Sequence, residues 1–361
     1  MWELEKWPNT RPVFAACISK MHLSRTCPDT WKSSMPFTTP PRPVDVASLW
    51  PELAPLARTA VRLHPRRGEP TLDQSSIGGP LLWPEDEPWP TCAAPHEWDV
   101  LATLDEVEEH RRIMARAWGP DGTGPLNYST EDGDRRDLLN EIQTDRTRRT
   151  AFLTEPAALL PVAQLFTRDV PGLPLSDRFD LLQVLWCPYD HAEDYQPAVH
   201  LRWRNTADQP MAAALPPADT LVGFADYVPN PCTVTPEPVT EYPDFGLLPP
   251  DLAGRIEAHE RITDNFFYRE LALAPGWKAN GHGSEWMLID PFDVRCECGA
   301  KAKPLLNAAS RRWGSATLVW IPLEDGDRVE DAVEIIIGRG ADLQIFHCGT
   351  DPAHAPVSIM V

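Results

Sequence analysis

One short pattern occurs twice in the chain, and the rest of the sequence can be arranged around it. Leu182-Gln183-Val184-Leu185-Trp186-Cys187 recurs as Leu343-Gln344-Ile345-Phe346-His347-Cys348, and a turn with an aspartate and a histidine follows each copy. Each copy is mostly apolar, has the length of one buried strand and ends in a cysteine. The pattern therefore predicts two equivalent strands that each place a soft metal ligand beside a turn.

Further matches stand in the same order in both halves of the chain. Each half opens with a glycine-rich turn, and the interval from that turn to a cysteine is the same in both. Matches that keep their order predict an internal duplication. The matching pairs are Gly79 with Gly283, Cys92 with Cys296, and Pro161-Val162-Ala163-Gln164 with Pro304-Leu305-Leu306-Asn307.

These matches divide the chain into three segments. Residues 1–44 are rich in Pro, Ser and Thr without a period, which predicts a disordered or loosely packed arm. Residues 45–247 form a first β-rich half, with a charged helical insertion at about 97–152, and residues 248–361 supply a linker helix and a second β-rich half. The expected fold class is therefore α+β: β-rich, internally duplicated, with a helical insertion in the first half.

This order of motifs resembles the YwqG-like family, a bacterial domain of unknown function. The resemblance implies a duplicated β-rich α+β fold and leaves the activity open, because the family has no established activity. It covers the chain from about Ser75 to the C-terminus without the insertion. Relatives tend to carry Cys-x-x-Cys where this chain has Cys296-Glu297-Cys298, so the resemblance does not imply a metal site. The motifs are Gly78-Gly79-Pro80, Trp89-Pro90, Ala163-Gln164-Leu165 and Leu182-Gln183.

Charge and composition exclude several classes of protein. The net charge is −20, and Lys and Arg cluster only at residues 135–149, which argues against nucleic-acid binding. No apolar window approaches the ~18 residues of a membrane span, and no early apolar run has the ~7–15 residues of a signal peptide. We therefore expect a cytoplasmic protein with neither a nucleic-acid nor a membrane partner, in which cysteines stay reduced.

Closely spaced cysteines and histidines form one candidate metal site in each half. Structural zinc takes four sulfur or nitrogen ligands, usually as two short-spaced pairs that the fold brings together. Structural zinc is therefore the candidate cofactor, favoured more in the second half than in the first; the alternative is a set of inert buried cysteines and no cofactor. The first-half candidates are Cys92, His96, Cys187 and His191, and the second-half candidates are Cys296, Cys298, Cys348 and either His347 or His354.

Two functions fit these features. The first is a non-enzymatic protein-binding module, in which rigid Trp- and Pro-rich loops and an acidic surface bind a protein partner, as in immunity or antitoxin proteins. The second is a metal-dependent or thiol enzyme, with Cys187 and His191 as a dyad near Asp190. Cys187 follows an apolar strand and precedes Pro188, so neither a cation nor a helix N-terminus adjoins it in sequence to stabilise a thiolate. We therefore favour the non-enzymatic function.

Overall fold

The structure, a computed structural model, is rich in antiparallel β-strands and contains fewer helices, which confirms the α+β class. Among the described residues, two six-stranded sheets and four two-stranded ladders contain the paired strands. No helix in this part of the chain is long and apolar enough to cross a membrane. The described residues are 37–94, 96–98, 102–118, 151–153, 156–191, 195–264, 267–284, 293–310, 315–325, 331–351 and 353–361.

The strands and helices are short, as the many prolines of the sequence predict. The strands are β1 (Arg58–Arg62), β2 (Arg66–Arg67), β3 (Ser76–Ile77), β4 (Leu81–Pro84), β5 (Thr91–Cys92), β6 (His96–Trp98), β7 (Ala102–Thr103), β8 (Ala151–Leu153), β9 (Ala157–Ala158), β10 (Leu160–Phe166), β11 (Leu181–His191), β12 (Gln196–Arg204), β13 (Met211–Ala214), β14 (Leu221–Val222), β15 (Cys232–Thr233), β16 (Glu237–Glu241), β17 (Lys278–Asn280), β18 (Ala302–Ala308), β19 (Leu343–Cys348) and β20 (Val357–Met360). The α-helices are α1 (Val46–Leu49), α2 (Leu104–Trp118), α3 (Pro250–Thr263) and α4 (Tyr268–Leu271), and 3-10 helices cover Pro51–Leu56, Ala225–Tyr227, Phe245–Leu247 and Ser315–Trp320.

The two large sheets share one strand arrangement. The first sheet has the order β2-β15-β3-β10-β11-β12, and the second sheet has the order β16-β1-β17-β18-β19-β20. The chain passes from one sheet to the other twice in its first half: β1 lies in the second sheet but continues into β2 of the first, and β15 lies in the first sheet but continues into β16 of the second. All strands of the first sheet therefore come from residues 45–247, whereas the second sheet takes β1 and β16 from that half and its other four strands from residues 248–361.

A pair of amide side chains faces each other across the central hairpin of each sheet. Gln164 lies opposite Gln183 in the β10–β11 hairpin, and Asn307 lies opposite Gln344 in the β18–β19 hairpin. All four side chains are buried. Gln164 and Asn307 each donate a hydrogen bond to the backbone carbonyl two residues before the neighbouring strand, β3 or β17. The two hairpins therefore use the same contact to hold their register.

Both hairpins also shift register at the same place. The shift follows Pro161 in β10 and Pro304 in β18. When the ladders are aligned on it, Gly79 corresponds to Gly281, and both have a left-handed backbone, with φ of +71° and +74°. Matching by equal intervals to the next cysteine pairs Gly79 with Gly283 instead, because it assumes that the loops after the glycines have the same length in both halves. The strand register shows that these loops differ in length.

Alternate residues of β11 face two different apolar clusters. Leu182 and Val184 belong to the large cluster of buried side chains that contains residues of both sheets. Leu185 and Cys187 belong to a smaller cluster on the other face of the first sheet. This period of two is the signature of a strand with an apolar environment on both sides. It decides on which face Cys187 lies. The strand does not end at this cysteine as predicted: it continues to His191, and an irregularity in its pairing with β12 takes the place of the predicted turn.

The segments outside the sheets fit the sequence pattern where they are described. The helix expected between the halves is present as α3, and α2 lies in the expected insertion. The second helix expected there, at 134–149, lies outside the described residues, as do residues 1–36 of the predicted arm. Residues 37–44 contact the second sheet, since Thr39 donates two hydrogen bonds to Glu237 and Arg42 stacks on the Trp320 ring.

A buried ion pair between Lys278 and Glu241 joins β17 to β16, on either side of β1. We predict that Lys278→Met lowers the free energy of unfolding by about 3–5 kcal/mol, because it leaves the Glu241 carboxylate buried without its cation. Chemical denaturation measures this loss. Arg255→Met is the matched control: it breaks an exposed pair with Glu52 and should leave the free energy of unfolding nearly unchanged. Equal losses for the two variants would contradict the prediction.

Candidate metal sites

The structure brings eight of the candidate residues into two clusters, one in each half. In each cluster the four possible ligand atoms lie within 4.8 Å of one another. His354 rather than His347 completes the second cluster, since the Nδ1 atom of His347 lies 2.8 Å from the backbone carbonyl of Cys348. The first cluster is Cys92, His96, Cys187 and His191, and the second cluster is Cys296, Cys298, Cys348 and His354.

The first cluster forms where the end of β11 meets two short ladders. Cys187 and His191 lie near the end of β11, and the pairing with β12 is irregular between Trp186 and Asp190. Such a bulge changes the direction in which the following side chains point. Cys92 ends β5 and His96 begins β6, so the loop between these strands presents both side chains to the end of β11.

Contacts in the first cluster join the two Cys-x3-His pairs to each other. The Sγ atom of Cys187 lies 3.2 Å from Nε2 of His96, and the Sγ atom of Cys92 lies 3.7 Å from Nε2 of His191. A tetrahedral zinc ion with bonds of ~2.3 Å to sulfur and ~2.0–2.1 Å to nitrogen separates S and N ligands by about 3.5 Å. The measured separations are therefore close to those of a tetrahedral site.

The second cluster joins the end of β19 to a tight turn. A hydrogen bond from the Gly299 N–H to the Cys296 carbonyl closes that turn. The Nδ1 atom of His354 lies 3.5 Å from Sγ of Cys296 and 3.4 Å from Sγ of Cys348, and the sulfur atoms of Cys298 and Cys348 are 3.7 Å apart. A tetrahedral zinc site requires about 3.5 Å between S and N and about 3.8 Å between two S ligands.

Neighbouring groups favour the thiolate form of Cys348. The hydroxyl of Thr350 lies 3.2 Å from Sγ of Cys348, and the Thr350 N–H donates to the same sulfur at 3.5 Å. These hydrogen bonds lower the pKa of Cys348 to about 5. The Asp351 carboxylate lies 3.8 Å from Nε2 of His354, where metal-ligating histidines commonly have a carboxylate neighbour. The sequence pattern does not single out Thr350, although its position two residues after a candidate ligand is a usable signal.

In the first cluster, the two thiols have opposite pKa shifts. Hydrogen bonding with Cys187, and then with the His200 ring, lowers the pKa of Cys92 to about 3. The same contact with Cys92, together with burial, raises the pKa of Cys187. His200 was not among the sequence candidates. The pairing of β12 with β11 places His200 opposite Leu185, on the face where Cys187 lies, and it is this pairing that relates His200 to the cluster.

In the less favoured catalytic dyad, Cys187 and His191 each contact another member of the cluster. Cys187 is fully buried and contacts His96, whereas His191 contacts Cys92. A raised pKa and burial both reduce the reactivity of a thiol. The geometry of the first cluster therefore suits metal coordination better than nucleophilic attack by Cys187.

Comparison of the sequence with models of known protein families and with curated proteins finds no match. The resemblance to the YwqG-like family therefore stays a prediction. What the structure contributes is the convergence of two Cys/His clusters that can hold a metal ion.

The exposure of the cysteines predicts the order in which they react. After chelation of any metal, we expect iodoacetamide to modify Cys298 faster than Cys187 at pH 7. Cys298 is exposed and its pKa is lowered by a hydrogen bond from the Ala300 backbone, so more of it is thiolate; Cys187 is buried and its pKa is raised. Peptide mass spectrometry over time measures both rates. In denaturant the two rates should converge, and faster modification of Cys187 in the folded chain would refute the expected order.

Proposed function

We propose that this chain is a non-enzymatic protein that binds two structural zinc ions, one in each cluster. The observation that supports this function is the convergence of four sulfur and nitrogen ligand atoms within 4.8 Å of one another in each cluster. The two ligand sets, Cys₂His₂ and Cys₃His, are both typical of structural zinc. A catalytic zinc keeps one position open for water or substrate, whereas four protein ligands fill the coordination shell. A metal-dependent enzyme is therefore the less favoured alternative.

Zinc at these positions would stabilise the parts of the fold with the least sheet structure. The β5–β9 ladder pairs two residues and the β6–β8 ladder pairs three. Ladders this short are marginal on their own in water. A zinc ion in the first cluster would fasten both to the end of β11, and the free energy of metal binding would add to the free energy of folding.

We further propose that the two halves are copies of one ancestral unit, as the resemblance to the YwqG-like family implies. Four features support this: the common strand order, the buried amide pairs, the shared register shift, and the corresponding cysteines Cys187 of β11 and Cys348 of β19. The strands β15 and β1 also take the same second position in their sheets. A duplicated hairpin would also account for one metal cluster in each half.

The proposed biological role is the binding of a protein partner in the cytoplasm. Reducing conditions there keep thiols available to zinc. Binding through Trp-rich loops would require exposed tryptophans. Trp83 and Trp186 are buried in the apolar core, so these two side chains are not available to a partner. The net charge of −20 supports a basic partner instead, as for immunity proteins that mask a basic toxin.

The proposed function predicts about two zinc ions per purified chain, measured by elemental analysis against protein concentration. Cys187→Ser and Cys348→Ser should each remove one ion, because each replaces a thiolate of a different cluster. Cys232→Ser is the matched control, since Cys232 is buried but belongs to neither cluster, and it should retain both ions. Less than ~0.3 zinc per chain in the folded wild type would end the proposal.

A second prediction separates structural from catalytic zinc. The cobalt-substituted protein should give the visible spectrum of tetrahedral sites, and added azide should leave that spectrum unchanged, because no coordination position is open. A spectrum that changes as azide is titrated would instead indicate an open position, and the enzymatic alternative would then be the better description. If azide changes the spectrum, the same titration of cobalt-loaded Cys187→Ser and Cys348→Ser shows which cluster is responsible, because each variant removes a ligand from only one cluster.

A further inference from the structure

A cavity of about 830 Å³ opens at one end of the second sheet, where β1 and β18 begin and β17 and β19 end. The described residues of its wall carry positive charge on Arg58, Lys301 and Lys303, and none of them is acidic. This composition is unusual for the chain, whose net charge is −20. A wall with cations and without carboxylates favours an anionic ligand.

Two histidines give the cavity a second kind of recognition group. His282 and His347 both line it, and both are more than nine-tenths buried. His282 donates its Nε2–H to the backbone carbonyl of Leu56, and His347 donates its Nδ1–H to that of Cys348. Within the described residues, no group hydrogen-bonds to the other ring nitrogen of either histidine. In an uncharged imidazole that nitrogen is an acceptor, so each ring can accept a hydrogen bond from a ligand.

Each histidine has a cation as its neighbour. Lys303 lies directly opposite His347 in the β18–β19 register. Arg58 approaches the carbonyl of Gly281, the residue before His282, with 3.5 Å between Nη1 and O. Burial, and after it the charge of Arg58, lowers the pKa of His282 to about 4, so this ring is uncharged at pH 7. The wall therefore presents two pairs, each made of one cation and one ring nitrogen acceptor.

Buried carboxylates close to the cavity do not cancel this charge. Glu241 accepts a hydrogen bond from the His282 N–H, but it is fully buried and forms an ion pair with Lys278. It also accepts from the Ala274 N–H. Among the described residues, neither Lys301 nor Lys303 forms a salt bridge, and both line the cavity.

We propose that this cavity binds a small organic oxyanion that also carries hydroxyl groups, such as a hydroxy acid or a phosphorylated polyol. The anionic group would lie between Arg58 and the two lysines, and the hydroxyls would donate to the ring nitrogens of His282 and His347. No ligand of either metal cluster lines the cavity, so the proposal does not require bound zinc.

Calorimetric titration of the full chain with matched ligands tests both parts of the proposal. L-malate is compared with succinate, which lacks the hydroxyl, and glycerol 3-phosphate is compared with inorganic phosphate and with glycerol. We expect either L-malate or glycerol 3-phosphate to bind at least tenfold more tightly than its comparison compounds. Binding of L-malate would identify the oxyanion as a carboxylate, and binding of glycerol 3-phosphate would identify it as a phosphate. If no probe binds, the site is refuted; if succinate or phosphate binds equally well, the role of the histidines is refuted.

A pair of double variants tests the location. Arg58→Met with Lys303→Met should weaken binding at least tenfold, since both cations line the cavity. Arg255→Met with Arg339→Met removes the same charge from exposed positions elsewhere and should leave binding unchanged. Circular dichroism and thermal unfolding check that all variants fold alike. Equal weakening by both pairs would indicate non-specific attraction, and unchanged binding in the first pair would place the ligand elsewhere; either result overturns the proposal.

Discussion

The register of the two central hairpins is the constraint on which the rest of the structure depends. Because successive side chains of a strand alternate between faces, a slip of one residue would turn Cys187 and Cys348 away from their clusters. It would also move Gln183 and Gln344 into the apolar core. The hydrogen bonds of the buried amides oppose this slip, since leaving a buried polar group unpaired costs about 1–3 kcal/mol. Core and clusters therefore depend on the same contacts.

The strands β1 and β16 make the second half dependent on the first. The second sheet lacks two of its six strands unless the first half supplies them. The β1 strand pairs with β16 and β17, both of which are far from it in sequence. Pairings of this kind require a large loop to close before any contact forms, which slows folding. The halves consequently behave as one cooperative unit, although their strand orders are alike.

Local patterns in the sequence predict part of this structure, and long-range pairing determines the rest. The strands β11 and β19 are predictable because apolar composition is a local property, although β11 continues to His191 instead of ending in Cys187. Seven of the eight side chains that converge were predictable as closely spaced cysteines and histidines, whereas the sequence left the choice between His347 and His354 open. The contact of Cys187 with His96 was not predictable from spacing, nor was the position of His200 beside Cys92. Both depend on which strands become neighbours. The correspondence of Gly281 with Gly79 also follows from strand pairing and not from intervals along the sequence.

One position shows how the same hairpin produces different surroundings in the two sheets. Trp186 of β11 corresponds by register to His347 of β19. The Trp186 indole is fully buried and donates to the Tyr227 carbonyl, so the end of β11 closes the apolar core. The smaller His347 ring borders a cavity and donates to the carbonyl of Cys348, a member of the second cluster. A metal ion that holds Cys348 would therefore also hold the His347 ring in place, and through it the wall of the cavity.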